Sequence, residues 1–587
     1  MNWIVRWVGL SGFWAVTLLH GAVFQMGTNG KPMRWNLDFY DASLFPDQNP
    51  KTLAIRYHLA AEGWSVANRT NELNAIRAAF DQWQSIPGVR FRFEEASLVQ
   101  GVTDISVQDG RNTVVWLSAN RMINGGLTFF PSSSRAITVL AGTGTDEIIA
   151  EADIVLNRDQ PWFTEFDPDR TMGTHVESVV LHEVGHLLGL NHAALGGATM
   201  FWQGPMGISS TTGLSQDEIS GARSVYPSSS TAFGKISGVV SLNGSGLKGA
   251  VVVAEDLQGR VVAAVMSRDA GAYEMAGLSP GDYRLRVTPL DPSGASSDSY
   301  LVRGADLDTT SRFEFNTVAT DFLPSTNTSV AVVAGKSSTV QLMVKPGVPP
   351  FRISETRRFL LPEGLSSGDE CIQLRPGQTN AWVAVYVPGL SSGPATLRMT
   401  GVGVDYGVTE IAPKVLRQLT RVQVPVSVSP DALPGLRSLS LTVNGYTAWA
   451  NGFVEILPAT YDLNFDGLDD LFQRKYFSPF TRPEAAPAAD PDGDGFSNMR
   501  EAAAGSDPTN SQSFRYRILS VKQTLSGTLV TWESAAGRKY KISSRSRLDN
   551  AIWEIVGPSV MASGETGEWQ DTRPATETRF YRVEDAP

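Results

Sequence analysis

The sequence predicts a multidomain chain in which an α+β domain is followed by several all-β sandwich modules and one short acidic segment. Three observations carry that prediction. The chain has 587 residues, several times the roughly 100–200 residues of a single domain. Residues 30–228 mix helical and strand-like periodicity, which is an α+β pattern. Beyond residue 230 only strand-like alternation and glycine- and proline-rich turn signals remain, until aspartate and glycine cluster at 460–512.

The first 25 residues read as a signal peptide, 1–25. Arg6 supplies a positive charge, residues 7–19 (WVGLSGFWAVTLL) are apolar, and Gly21 and Ala22 are small. That stretch is shorter than the roughly 20 apolar residues needed to cross a bilayer, and no later segment is longer and equally apolar. The expectation is an exported, extracellular protein with no transmembrane segment after its leader. The net charge of −11 and the lack of Lys/Arg clusters argue against nucleic acid as a partner. Cys371 is the only cysteine, so neither an intrachain disulfide nor a cysteine-ligated zinc site is available.

Within 30–228 a strand at 53–59 precedes a helix whose Leu73, Ile76, Phe80 and Trp83 recur at helical spacing and which Pro87 and Gly88 stop. Strands are expected at 89–93, 104–107, 113–117, 136–141 and 152–156. Thr174 and Glu177 then form a capping-box signature that starts a second helix near His175. Residues 233–345 are predicted to be all-β, with strands on either side of Pro280-Gly281, and resemble carboxypeptidase-regulatory-like sandwiches. Residues 350–457 read as an immunoglobulin-like all-β module on strand spacing alone. Residues 515–587 read as a C-terminal β-domain.

The second predicted helix carries HEVGHLLGLNH at 182–192. His182 and His186 are four apart, so their imidazoles project from one helical face. Gly189 permits a sharp turn that returns His192 as a third ligand, leaving the fourth zinc position to water. Glu183 is the candidate general base and acid beside that water. A bare HExxH pattern is a weak signal. Here, however, three of the chain's six histidines fall within eleven residues, which makes chance assembly improbable.

At these residues the chain resembles the metzincin metallopeptidases, and most closely the matrixins. The resemblance spans roughly 50–228 and includes Met200 in ATMF, similar to the family's Met-turn, EADIVLNRDQPWF at 151–163 and LSQDEISGARSVYP at 214–227. It implies a twisted mixed sheet with an active-site helix. The implied activity is a zinc endopeptidase, with an extended substrate added to an edge strand at 136–141 and a pocket wall at 201–206. The chain departs from the family pattern in places. Residues 59–174 contain no histidine for a second zinc, Asn157 and Gln160 stand where acidic calcium ligands are expected, and no cysteine precedes the domain to serve a propeptide switch. His58 and His175 read as structural.

The acidic segment 460–512 holds DPDGDGFSNMRE at 490–501. Asp490, Asp492 and Asp494 alternate, Gly495 sits at the turn and Glu501 at the twelfth place, the spacing of a calcium loop. Asp462, Asn464, Asp466 and Asp470 repeat it less completely, because Gln473 replaces the final acid. Both loops resemble thrombospondin-type-3 and dockerin-like segments. The sequence thus predicts a secreted zinc- and calcium-binding endopeptidase acting on extracellular protein. The alternative is an adhesion or carbohydrate-binding protein with a vestigial protease domain, meeting the cell surface or carbohydrate through its β-modules.

Overall fold

The computed structural model describes residues 6–7, 24, 31–143, 148–170, 172–201, 207–208, 212–289, 321–353, 355–357, 371–390, 393–416, 419–513, 517–547, 552–574 and 578–586. The signal-peptide expectation falls almost entirely outside them, as does all but Phe201 of the pocket wall expected at 201–206. No described helix is long and apolar enough to cross a membrane. The chain divides into two compact units, one of residues 1–459 with 463–465 and one of 460–462 with 466–587.

The first unit begins with a mixed sheet and two helices. Strands Ile55–Leu59, Thr113–Leu117 and Ile148–Asn157 run parallel, and Ala136–Thr143 pairs antiparallel with the last of them. Along the outer edge of Ala136–Thr143 lie Arg6 and Trp7, in parallel register with Val139 and Leu140. Helix α1, Arg69–Gln84, and helix α2, Val176–Leu187, cover the sheet. Phe80 stacks on Tyr57 with ring centroids 3.9 Å apart, and the Trp83 indole donates to the Leu181 carbonyl at 2.8 Å. All twelve residues of α2 are buried, as expected of a helix enclosed on every side.

Three expectations are corrected. Thr174 and Glu177 form no capping box: Thr174–His175 pairs with Trp162–Phe163 as a short parallel strand, so α2 starts one residue later with His175 as its N-cap. Glu177 instead accepts a 2.7 Å bond from Gln82. No strand forms at 104–107, because the Asp104 carboxylate draws in the backbone N–H groups of Ile105, Asn124 and Gly125 and folds the segment into turns. The strand expected at 89–93 lies at Phe93–Glu95, since Val89 bridges to Pro227.

Two β-sandwiches follow in the same unit. In the first, Gly234–Leu242, Ala272–Leu278 and Ser337–Pro346 belong to one sheet, while Val251–Asp256, Val261–Met266, Gly281–Thr288 and Ser325–Val332 form the other. The strands flanking Pro280-Gly281 therefore lie in opposite sheets and do not pair. In the second sandwich, Ala381–Pro388 and Leu419–Val428 lie in one sheet, and Gly435–Val443 and Tyr446–Ile456 in the other. Helix α3, Gln216–Val225, opens with a true capping box, Ser215 with Glu218, and packs on strands Val261–Met266 and Ala272–Leu278. One apolar cluster consequently runs from Trp83 and Met200 to Val251, Met266, Cys371 and Leu436.

The second unit holds two short helices, Asp470–Tyr476 and Asn498–Ala504, followed by two small antiparallel sheets around Val530, Trp532, Tyr540 and Ile542.

Glu151 and Asp153 alternate on one face of a buried strand. Burial, assisted by the charge of Asp109, pushes Glu151 up to about 7. Asp153 is raised as well, by burial and by neighbouring Glu151. A carboxyl with a raised folded-state pKa favours folding while protonated, so its contribution is full below its ordinary value and disappears as pH climbs through about 7. Stability measured by denaturant melts is expected to fall by about 2 kcal/mol between pH 4.5 and 7.5 from this group. In Glu151→Gln, whose amide oxygen still accepts from the Gly110 N–H that Glu151 binds at 2.8 Å, that slope should flatten.

Candidate metal centre

Helix α2 presents His182 and His186 one turn apart, and the chain then reverses at Gly189, whose φ is +93°. A side chain at Gly189 would meet the Met33 carbonyl at 2.3 Å, so both the backbone angle and the space demand glycine. The reversal places the His192 ring 5.3 Å from that of His182 and 4.9 Å from that of His186, centroid to centroid. One ligand nitrogen from each imidazole lies within 4.8 Å of the others.

The tautomers follow from the acceptors. His182 Nδ1 lies 2.7 Å from the Thr199 carbonyl, and His186 Nδ1 2.8 Å from the Leu190 carbonyl. Carbonyl oxygens only accept, so each Nδ1 carries the proton and each Nε2 presents a lone pair. Those two Nε2 atoms are 3.1 Å apart. Two lone pairs turned toward each other at that distance repel unless a cation lies between them. Burial pushes both imidazoles well below their ordinary pKa, which keeps them neutral and ligating. Three imidazoles gathered in one buried cluster fit a zinc ion.

Glu183 follows the first histidine and is fully buried. Its Oε2 accepts from the Thr138 hydroxyl at 2.5 Å, and the same hydroxyl contacts the Glu183 carbonyl at 3.1 Å. Its Oε1 has no hydrogen-bond partner. Burial pushes Glu183 up to about 8. A divalent cation beside it acts in the opposite direction, favouring the carboxylate. Thr138, on the edge strand, was not singled out from sequence, because only the fold brings it across 45 positions to Glu183. Thr138→Val is expected to lower kcat about tenfold, or about 1.4 kcal/mol in the barrier, with KM unchanged and Thr138→Ser close to the parent; steady-state peptide cleavage reads both.

Met200 packs against α2 at Gly185. Its Sδ sits 2.3 Å from where a Cβ on Gly185 would stand, so only glycine lets the methionine press against the helix there. The Met200 N–H donates to Glu218 Oε1 at 2.9 Å, and its carbonyl accepts from Ala193 at 2.8 Å. Glu218 thus fixes the turn and caps α3 together. The S-x-x-E signature at Ser215–Glu218 could have revealed the cap, though not the bond to Met200. His58 bridges Asp47 and the Ser97 carbonyl, and His175 bonds Ser178 Oγ at 2.8 Å; neither lies in the metal cluster. Asn157, buried, donates to the Ser134 carbonyl at 2.7 Å.

In the second unit, Asp490, Asp492 and Asp494 bring carboxylate oxygens within 4.8 Å of one another. Gly495 turns the loop at φ +89°, and its N–H and that of Asp494 donate to Asp490. Burial first, then the three aspartates, pushes Glu501 up to about 7. Its Oε1 accepts from Ser506 at 3.0 Å, while Oε2 has no hydrogen-bond partner. Arg538 approaches Asp494 Oδ2 at 3.4 Å. In the weaker loop, Asp462 accepts from the Asp466 and Gly467 N–H groups. Gln473 donates to Asp466 at 2.7 Å and also to the Ala485 carbonyl; Asn464 and Asp470 are buried.

Comparison with known proteins matches residues 48–227 to the matrixin family and residues 490–511 to the bacterial TSP3 repeat. No curated protein matches the chain. Among solved structures, the minor pilin GBS52 of Streptococcus agalactiae is 15% identical over 24% of this chain and 52% of its own, with a TM-score of 0.14; the match thus spans about half of that pilin. The major pilin BcpA of Bacillus cereus is 9% identical over 60% of this chain and 87% of its own, also at 0.14. The Bacillus anthracis TIE protein is 10% identical over 61% and 46%, again at 0.14. Superpositions that poor carry no argument about the site. The family match and the buried histidine cluster agree, and residues 48–227 are a matrixin-like metallopeptidase domain.

Proposed function

We propose that this chain is an exported zinc endopeptidase that hydrolyses peptide bonds of extracellular proteins. The observation that carries this reading is the arrangement of His182, His186 and His192 around one point beside the Glu183 carboxylate. His182 Nε2, His186 Nε2 and an imidazole nitrogen of His192 would hold the zinc. Bound there, zinc would supply a Lewis acid for the scissile carbonyl and lower the pKa of a water. Glu183 Oε1 takes the proton of the attacking water and returns it to the departing amine nitrogen. Thr138 holds the other oxygen still while this happens.

An extended substrate is expected to pair with the outer edge of Ala136–Thr143, the edge along which Arg6 and Trp7 run. Removal of a leader would leave that edge open. Export is supported by the apolar leader and by the TSP3 match. Calcium binding at Asp490, Asp492, Asp494 and Glu501, with a weaker site at Asp462, Asn464, Asp466 and Asp470, belongs to the same reading, as a stiffening device for the segment.

The purified chain should cleave casein or another unstructured protein, lose activity to a zinc chelator and regain it with zinc. Failure to cleave with one zinc bound per chain would sink the reading. For calcium, calorimetric titration should give heat that Asp490→Asn removes; no heat at millimolar calcium would sink that part alone.

A further inference from the structure

The strand Tyr446–Ile456 of the second sandwich does not pair evenly with its neighbour Gly435–Val443. Arg437 faces Val454 and Leu439 faces Ala450, so Asn451, Gly452 and Phe453 together oppose the single residue Ser438. This is an enlarged β-bulge, and bulges release backbone groups from the ladder. Here the released Asn451 and Gly452 carbonyls accept from the Gly196 and Gly197 N–H groups at 3.1 and 2.8 Å. Gly196 and Gly197 lie in the turn between His192 and Met200. Side chains on them would strike Phe453 at 2.2 Å and Leu436 at 2.5 Å, so the bulge and the turn fit without spare room.

The neighbouring side chains strengthen the contact. Met200 faces the catalytic helix, yet the next residue, Phe201, is buried in the core of the sandwich, with its ring 5.5 Å from that of Phe453. The bulge is itself braced: Arg286, buried, bonds Asn451 Oδ1 at 3.1 Å and Ser438 Oγ at 2.7 Å, and the Gly452 N–H donates to the same Ser438 hydroxyl. Glu255 holds Arg286 at 2.6 Å.

We infer that the Asn451–Phe453 bulge is a positioning element of the metal centre, setting the turn that carries His192 and Met200. The second sandwich is then a working part of the peptidase, and Phe453 is its principal positioning residue. This rests on the zinc peptidase reading above.

The test uses the full chain loaded with zinc and compares the parent with Phe453→Ala and Phe453→Leu. Phe453→Ala is expected to release zinc to a chelator about tenfold faster and to lower kcat about tenfold with little change in KM, while Phe453→Leu recovers most of both. Zinc release and kcat within twofold of the parent in a folded Phe453→Ala would overturn the inference. Should that variant not fold, hydrogen exchange on the unmutated chain decides. Stripping zinc should speed exchange both in 193–201 and in 449–454, and a change that stops at 201 would overturn it. Zinc release and exchange need no turnover. An inactive parent showing the coupled release and exchange would therefore reject the peptidase reading and leave the positioning role supported.

Discussion

Glu183→Gln should leave zinc in place and cut kcat by between about a hundredfold and ten-thousandfold, the range general acid–base catalysis supplies. The substitution keeps the shape of the side chain and an oxygen for the Thr138 hydroxyl, but removes the carboxylate assigned to take and return the proton. Burial already disfavours the charged form of Glu183, so a neutral amide costs the fold little, and thermal melting should match or exceed that of the parent. Metal analysis, melting and kcat measured together separate chemistry from folding. A variant that cleaves as fast as the parent would remove Glu183 from the mechanism.

His186→Ala is the second large effect. It takes away one of three nitrogens and the N–H that satisfies the Leu190 carbonyl at 2.8 Å, at a fully buried position. Zinc content should fall from about one per chain to below about a tenth, and cleavage should vanish with it, since two imidazoles no longer enclose the ion. Melting should then stop responding to chelator, because the linkage between metal binding and folding is gone. His58→Ala and His175→Ala should keep their zinc, as their rings serve Asp47 and Ser178 instead. Retained stoichiometric zinc in His186→Ala would show that the metal lies elsewhere.

The parts of the centre legible in the sequence are those written at short range. His182, Glu183, His186, Gly189, His192 and Met200 lie within nineteen positions, and helical spacing with one glycine turn determines their placement. Thr138, Glu218 and the Asn451–Phe453 bulge escaped because each reaches the site through tertiary contact, across 45 positions for Thr138 and a whole sandwich for the bulge. The false capping box at Thr174 and the true one at Ser215 make the same point. Both match S/T-x-x-E, but only the pairing of Phe163 with His175 removes the first from play, and no local pattern encodes that pairing. The sequence predicts a strand on each side of Pro280-Gly281, but not that the two belong to opposite sheets because the chain crosses the sandwich at that turn.

The family match ends at residue 227, but the apolar cluster beneath Met200 continues into Val251, Met266, Cys371 and Leu436. The carboxylate of Asp217 also takes its hydrogen bond from Ala264. Excising the peptidase at its homology boundary would therefore cut through a packed interior, stripping the outer face of α3 and the seat of the Gly196-Gly197 turn down to water. For this chain the smallest piece worth expressing ends near residue 459, because the border drawn by shared ancestry and the border drawn by cohesion do not coincide.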